Sequence, residues 1–151
     1  MTTSAWTVMR RFYAAEAAYV AAGGPGKASY DQVAEHLDPE VVLYQAPGLP
    51  FTGTWRGRDG MERFLAVFSG LWESMEFLEQ DHWGDDDTVV VRSRVRFRAR
   101  ATGREIDTLI LQVVTVRDGR MLECRPVYWD PAAVSEACDT APTGQVTSPL
   151  R

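Results

Sequence analysis

The sequence is poor in cysteine and histidine, and it has no long apolar run. Its 151 residues include two cysteines, Cys124 and Cys138, and two histidines. Two cysteines are too few for a disulfide framework, and no His, Cys or carboxylate spacing is typical of a metal site. We therefore expect free thiols, a cytoplasmic location, and no metal or other cofactor. No segment approaches the roughly 20 apolar residues of a membrane span, so no membrane is expected.

The chain also lacks an excess of positive charge. Sixteen Lys and Arg residues against 21 Asp and Glu residues give a formal net charge of -5. Because nucleic-acid binding relies on a basic surface that releases counterions, a nucleic-acid partner is not expected. Hydrophobic residues make up 45% and charged residues 25%, which is typical of a globular protein. The length suits one compact core.

Helical spacing comes first along the chain, and strand alternation comes last. Apolar residues three and four positions apart predict helices over 4–22, 29–36 and 60–72. A short strand over 41–44 and a loop over 46–57 lie between the second and third helices. Period-two alternation then predicts strands over 75–84, 88–101, 104–117 and 121–129. This order predicts an α+β fold, with the helices packed on one face of a curved antiparallel sheet.

The strand over 88–101 assigns the two faces of the sheet. Its apolar and small residues must face the helices, so its arginines face outward: Arg92, Arg94, Arg96, Arg98 and Arg100. If Thr102-Gly103 forms a two-residue turn, Arg100 lies opposite Glu105 and Arg98 opposite Asp107. We therefore expect a salt-bridged outer face.

The same register places an apolar patch and a polar pair on opposite faces. Leu109 and Leu111 fall among the arginines on the outer face, and we expect a second subunit to cover them in a homodimer. On the inner face Ser93 aligns with Gln112, and a glutamine among apolar neighbours needs a partner. This pair is the most ligand-like polar feature of the strands.

The turn at 117–119 leaves two alternatives open. A two-residue turn directs Glu123, Arg125 and Trp129 inward, whereas a three-residue turn with a glycine bulge directs inward Cys124, Pro126 and Tyr128. The alternation alone does not choose between them.

Three stretches of sequence carry a more specific pattern. They are Tyr44 to Pro50, Thr54-Trp55-Arg56-Gly57-Arg58-Asp59-Gly60-Met61 with Phe64, and Val116 to Glu123 with Tyr128-Trp129-Asp130-Pro131. Together with the order of elements, they resemble SnoaL-like proteins of the nuclear transport factor 2-like, ketosteroid isomerase-like superfamily. The resemblance covers about residues 4–133.

This resemblance implies a cone-shaped sheet wrapped by three N-terminal helices around a pocket. We expect one domain over 1–135, and the Thr-, Pro- and Gly-rich composition from about Thr140 predicts a flexible C-terminal tail over 136–151. The resemblance also favours the bulged turn, because the family's pocket residues on the last strand fall at Cys124, Pro126 and Tyr128. It specifies the fold more closely than the activity, since the fold hosts isomerases, cyclases, hydrolases and binding modules.

The catalytic residues of the ketosteroid isomerases are replaced in this chain. The position of their carboxylate base falls at or beside Tyr44, and that of their protonated aspartate falls at Gln112. The position of their oxyanion-hole tyrosine falls at Phe12, next to Tyr13. An unperturbed tyrosine titrates near pH 10, which is far from the range that suits a base.

The catalytic pair of the SnoaL-type polyketide cyclases is also absent. Their histidine and acidic residue on the last strand fall at Cys124 and Pro126. A tyrosine on the first helix that helps to bind the polyketide in some of these cyclases corresponds to Tyr13. The resemblance to cyclases therefore concerns ancestry more than mechanism.

The remaining polar and aromatic residues give a set of candidates. His82, Tyr44 and Gln112 are the candidate catalytic residues, because an imidazole or a tyrosine can carry a proton. The candidate ligand contacts are Tyr13, Trp55, Ser93, Phe97, Cys124 and Tyr128. Asp107 and Asp130 are assigned structural roles, as a salt-bridge partner and as a cap of the closing turn.

Two functional hypotheses follow from these candidates. In the first, the pocket holds a hydrophobic, oxygen-bearing compound such as a polyketide or a steroid-like molecule, and the protein acts as a cofactor-free isomerase, cyclase or hydrolase. In the second, the protein is a non-catalytic module that binds a ligand or another protein. A titratable group in the pocket would favour the enzyme.

Overall fold

The computed structural model describes residues 3–139 and contains four helices and six strands in that range. The helices are α1 (Ala5–Ala21), α2 (Asp31–Ala34), α3 (Gly57–Leu71) and α4 (Pro131–Cys138). The strands are β1 (Leu37–Gln45), β2 (Gly53–Arg56), β3 (Trp72–Gly84), β4 (Thr88–Ala99), β5 (Glu105–Arg117) and β6 (Arg120–Tyr128). The predicted order of helices and hairpins is confirmed, although β2 lies where a loop was expected. Of the tail expected over 136–151, residues 136–138 belong to α4, and residues 140–151 lie outside the described range.

Local sequence signals explain where the terminal helices begin. The Ser4 side chain accepts a hydrogen bond from the backbone N–H of Thr7 at 3.1 Å, which caps the start of α1. Asp130 caps α4 in the same way through the backbone N–H of Ala133. No helix in the range 3–139 is long and apolar enough to cross a membrane.

The six strands form one curved sheet in the order β2-β1-β6-β5-β4-β3. The neighbouring pairs are antiparallel except for β1 and β6, which run parallel, so the expectation of a purely antiparallel sheet is wrong at this one junction. Helices α1 and α3 lie against the concave face and cover a core of buried apolar side chains. The fold is the mixed α+β cone that the sequence predicts.

The predicted faces of β4 and β5 are correct, but their predicted register is wrong by two residues. Arg98 lies opposite Glu105 and Arg96 opposite Asp107, because the connection from Ala99 to Glu105 is longer than a two-residue turn. A shift of two preserves the side to which every residue points. Gln112 therefore remains on the inner face, opposite Val91, and Ser93 lies opposite Ile110.

The outer face is salt-bridged as expected, with different partners. The ion pairs are Arg92–Asp81, Arg94–Glu79, Arg94–Asp107, Arg96–Glu76 and Arg98–Glu105, at 2.7 to 3.4 Å. Arg100 leaves this row, and its guanidinium group donates to the backbone carbonyls of Ser69 and Trp72 at the end of α3.

The hairpin between β5 and β6 combines features of both predicted turns. Asp118 and Gly119 have φ values of 51° and 75°, the left-handed values that a two-residue type I′ turn requires, and Arg117 lies opposite Arg120. A bulge then follows in β6 at Leu122. The extra residue reverses the alternation, so the buried residues of β6 beyond it are Cys124, Pro126 and Tyr128.

Candidate functional site

The concave side of the sheet encloses a small cavity of about 30 Å³. Most of the lining is apolar or aromatic, contributed by Phe12, Leu43, Met61, Phe64, Phe68, Met75, Phe77, Phe97, Ile110 and Met121. The polar lining residues are Tyr13, Glu16, Gln45, Ser93, Gln112, Cys124 and Tyr128. A cavity of this volume has room for about one water molecule. The interior of the cone is therefore mostly filled by side chains. The small space that remains is bordered by polar groups from several strands and from α1.

Glu16 is the one carboxylic acid among the lining residues that the structure describes. It is not among the candidates that the sequence predicts. It lies on α1 with only 8% of its surface exposed, and no Lys, Arg or His residue of the described range forms an ion pair with it. Burial disfavours the charged carboxylate and raises the pKa of Glu16 from 4.5 to about 8. At neutral pH this side chain is therefore a neutral carboxylic acid.

Helical spacing could have indicated Glu16. It follows Phe12 by four residues and precedes Val20 by four, so it shares the helix face that packs on the sheet. A glutamate in an apolar helical face is rare unless it is paired or functional.

Tyr13 and Gln112 form a hydrogen bond across the cavity. The Tyr13 hydroxyl donates to the Gln112 side-chain oxygen, which joins α1 to β5. Burial is the main reason that the pKa of Tyr13 lies well above its ordinary value, with Cys124 and Glu16 as further causes. This tyrosine therefore acts as a neutral donor, and it gives Gln112 the partner that its position requires.

Ser93 and Gln45 complete the uncharged polar lining. The Ser93 hydroxyl accepts a hydrogen bond from Gln80 of β3 at 3.0 Å. Gln45, at the end of β1, is 7% exposed, and its side-chain oxygen has no hydrogen-bond partner within residues 3–139. An unpaired buried amide oxygen is uncommon in native proteins and calls for an explanation.

Cys124 and Tyr128 line the cavity from β6. Both are buried, and burial is the main cause that raises the pKa of each above its ordinary value. A nucleophilic cysteine needs a lowered pKa, so the Cys124 thiol has the character of a packing residue. Glu16 in its ionised form, which it takes at high pH, contributes to the raised pKa of both groups, so all three lie within electrostatic reach of each other.

Three of the candidate residues lie away from the cavity. Tyr44 points to the outer face of β1, where the Arg125 guanidinium group lies 3.9 Å from the centre of its ring. His82 is exposed near the end of β3 and stacks on Trp6, with 4.3 Å between ring centroids. Trp55 packs on Phe64 and is not a lining residue.

The structure brings the other candidates together. Tyr13, Ser93, Phe97, Gln112, Cys124 and Tyr128 all line the cavity. The placement of Tyr44 is a correction: the inward residues of β1 are its neighbours, Leu43 and Gln45. His82 lies opposite Val91, on the inner side of β3, but it is not a lining residue of the cavity. No group of three potential metal ligands occurs within residues 3–139.

Several solved structures have the same fold. A nuclear transport factor 2-like protein from Burkholderia xenovorans superposes with a TM-score of 0.74 at 17% identity, over 92% of this chain and 98% of that one. TerC, co-crystallised with polyporic acid, has a TM-score of 0.73 at 18% identity, over 88% and 96%. A candidate SnoaL-like polyketide cyclase from Jannaschia has a TM-score of 0.68 at 19% identity, over 90% and 94%. At these identities the likeness shows the fold alone.

Sequence comparison identifies the family. No curated protein matches the chain significantly. The sequence profile of the SnoaL-like domain matches residues 9–124, which is most of the chain and includes Glu16, Gln45 and Gln112. The chain therefore belongs to the SnoaL-like domain family, within the nuclear transport factor 2-like fold.

Proposed function

We propose that the cavity binds a small hydrophobic, oxygen-bearing compound and that Glu16 transfers a proton to or from it. The observation that carries the proposal is a buried carboxyl group, without a cation, among the lining residues of the cavity. Burial brings its pKa to about 8, close to the pH at which an acid or base works best. The position of Glu16 therefore suits proton transfer better than a structural salt bridge.

The protonated Glu16 favours a reaction whose first step is general acid catalysis. At neutral pH the Glu16 carboxyl group carries its proton, so it can donate a hydrogen bond or a proton to a carbonyl or ether oxygen of the ligand. The resulting carboxylate can then remove a proton from the ligand as a base. A cofactor-free isomerisation or cyclisation needs such a pair of transfers, and in a hydrolysis the carboxylate takes the second proton from the attacking water instead of the ligand.

The small volume of the cavity requires the lining to adapt when a ligand enters. Pockets for drug-sized ligands measure roughly 300–1,000 Å³, well above the space present here. Met61, Met75 and Met121 line the cavity, and methionine side chains repack easily because they are unbranched and flexible. We propose that these methionines move aside for the ligand.

The names of two structural neighbours are consistent with this ligand class. One is a candidate polyketide cyclase, and TerC was co-crystallised with polyporic acid. Both names concern oxygenated organic compounds. The alternative function is a non-catalytic binding module, and it is favoured by Cys124 and Pro126, which stand where the cyclases carry their histidine and acidic residue.

A comparison of wild type with Glu16→Gln separates these two functions. Each protein is incubated with a panel of aromatic ketones and polyhydroxylated aromatic compounds, and conversion and binding are followed by liquid chromatography with mass spectrometry. We expect the wild type to convert a compound that the variant binds and leaves unchanged. Glu136→Gln, on the exposed surface of α4, is the matched control. Equal binding without conversion by both proteins would contradict catalysis and support the binding module.

We also propose that the outer face of the sheet forms a homodimer in a reducing, cytoplasmic compartment. Leu109 and Leu111 are half-buried on this face, and Val113 and Val127 are 44% and 57% exposed there, beside a row that carries both arginines and acids. Because a twofold axis brings the same patch of both copies together, an apolar strip with charges of both signs can complement itself. Both cysteines are free and buried.

The dimer is tested by Val127→Lys in sedimentation equilibrium. We expect the dissociation constant to rise at least tenfold, because a lysine would be buried against an apolar surface. The control is Val67→Lys on α3, which is also exposed but lies away from the sheet. A monomeric wild type, or equal effects of the two substitutions, would contradict this interface.

A further inference from the structure

The ionisable groups that line the cavity are all acids. They are Tyr13, Glu16, Cys124 and Tyr128, and no Lys, Arg or His residue is among the lining residues that the structure describes. An anionic ligand would enter this space without a counter-charge, and a buried charge without a partner is strongly unfavourable. The chemistry of the lining therefore disfavours carboxylates, phosphates and sulfonates as ligands.

Among the polar lining residues, Gln45 has a side-chain oxygen whose lack of a hydrogen-bond partner within residues 3–139 needs an explanation. Its backbone carbonyl accepts a hydrogen bond from the Thr52 hydroxyl at 3.1 Å, which fixes the end of β1. Its side-chain oxygen is buried and unpaired in the described part of the chain. The other two neutral polar groups differ, because Gln112 is paired with Tyr13 and Ser93 with Gln80.

A missing partner at a buried amide oxygen points to a donor that arrives with the ligand. An amide oxygen accepts a hydrogen bond, so the group it meets must be a hydroxyl or an N–H. An unpaired buried oxygen raises the free energy of the protein, and a ligand that donates a hydrogen bond to it removes this penalty. A ligand without a donor leaves the penalty in place and should bind more weakly.

We infer that Gln45 determines ligand specificity and that the cavity selects an uncharged compound with a hydroxyl donor directed at the Gln45 side chain. This inference rests on the proposed function, since it names the class of compound that the cavity takes. A neutral hydroxyl compound fits both observations: the lining has no cation for an anion, and its unpaired acceptor needs a donor.

The test uses four probes of similar size that differ in one group: benzyl alcohol, toluene, benzoate and benzylammonium. Binding to the full chain is measured by isothermal titration calorimetry at pH 6.5, where Glu16 keeps its proton. We expect benzyl alcohol to bind about tenfold more tightly than toluene, and benzoate to show no binding. Tighter binding of benzoate or of benzylammonium than of benzyl alcohol would overturn the inference.

Gln45→Leu identifies the residue responsible. We expect this variant to bind toluene at least as well as the wild type and to lose the tenfold preference for benzyl alcohol. Gln32→Leu, the same substitution on the exposed surface of α2, should keep the preference. Because leucine removes an unpaired amide, we also expect Gln45→Leu to be at least as stable as the wild type; a loss of stability would indicate a structural role. If the leucine variant does not fold, Gln45→Met gives the same comparison with a more adaptable side chain.

The outcomes separate this inference from the proposed function. If the wild type binds none of the four probes, the proposed ligand cavity is contradicted together with the inference. If the wild type binds benzyl alcohol and Gln45→Leu keeps the same preference, the cavity stands and the role of Gln45 is rejected.

Discussion

The two sides of the sheet place carboxylates in opposite environments. On the outer side Asp107 is exposed and accepts two hydrogen bonds from Arg94, at 2.9 and 2.7 Å. These hydrogen bonds are the main reason that its pKa is lowered. On the inner side Glu16 is buried without a cation, and its pKa is raised to about 8. The partner and the access of water, rather than the type of residue, decide which carboxyl group keeps its proton.

This difference separates a structural surface from a site that can do chemistry. The arginines of β4 on the outer side are paired with acids of the neighbouring strands β3 and β5, so each of these charges has an opposite charge beside it. The inner acid is held in an apolar space where a ligand or a change of pH can alter its state. Substitutions on the two sides should therefore have effects of very different size and pH dependence.

The largest effect is expected for Glu16→Gln. The pKa of Glu16 is about 8 in the folded state, against an ordinary value of 4.5 that applies in the unfolded chain. Between these values the unfolded state loses its proton first, so the contribution of Glu16 to stability is full below pH 4.5 and is lost as pH rises through 8. At pH 8.5 the variant should be more stable than the wild type by up to about 5 kcal/mol, and at pH 4 the two should be similar. Urea denaturation from pH 4 to 9 measures the difference.

Glu136→Gln is the control for this pH profile. Glu136 is exposed on α4, so its substitution should leave the profile of the wild type unchanged. If Glu16→Gln also leaves the profile unchanged, Glu16 is ionised in the folded protein and the comparison of the two sides fails.

A smaller effect is expected for Tyr13→Phe. The substitution removes the donor to the Gln112 side-chain oxygen and leaves that oxygen unpaired inside the cone. The free energy of unfolding should fall by about 1–3 kcal/mol. Tyr44→Phe makes the same change on the outer face and should have a much smaller effect. Equal losses in the two variants would show that the inner hydrogen bond is no more important than the hydroxyl of the half-buried Tyr44.

The smallest effect is expected for Arg94→Ala. Both Arg94 and Asp107 are exposed, so water and salt replace most of what their ion pair contributes. The denaturation midpoint should stay within experimental error, while the pKa of Asp107 rises towards its ordinary value because its main hydrogen-bond donor is gone. Carbon-detected NMR of the aspartate side chains measures that rise. A large loss of stability would mean that the outer face is more than a solvated surface.

The sequence predicts the sheet faces better than the turns. The strict alternation of β4 assigns its arginines to the outside, and a two-residue error in register leaves that assignment intact. The bulge at Leu122 is different, because one extra residue exchanges the two faces of β6 and no residue type marks it in the sequence. The superfamily resemblance selected Cys124 and Tyr128 as inward residues where the alternation did not.

The candidate site was harder to predict for two reasons. Residues 41–44 are all apolar, so alternation does not show that Leu43 and Gln45 face inward and Tyr44 outward. The helical spacing of Glu16 predicts a buried position, whereas glutamate is a residue type that is usually exposed. Only the three-dimensional arrangement shows that no cation in the described chain pairs with it.

The central claim is that Glu16 is a neutral acid inside the cone at neutral pH. It is tested most directly by a carbon-detected NMR titration of the glutamate side-chain carboxyl groups, with Glu16→Gln to assign the signal. We predict that one carboxyl group titrates near pH 8 and that its signal is missing from the variant. If every glutamate of the wild type titrates between pH 4 and 5, the acid proposed for the cavity does not exist.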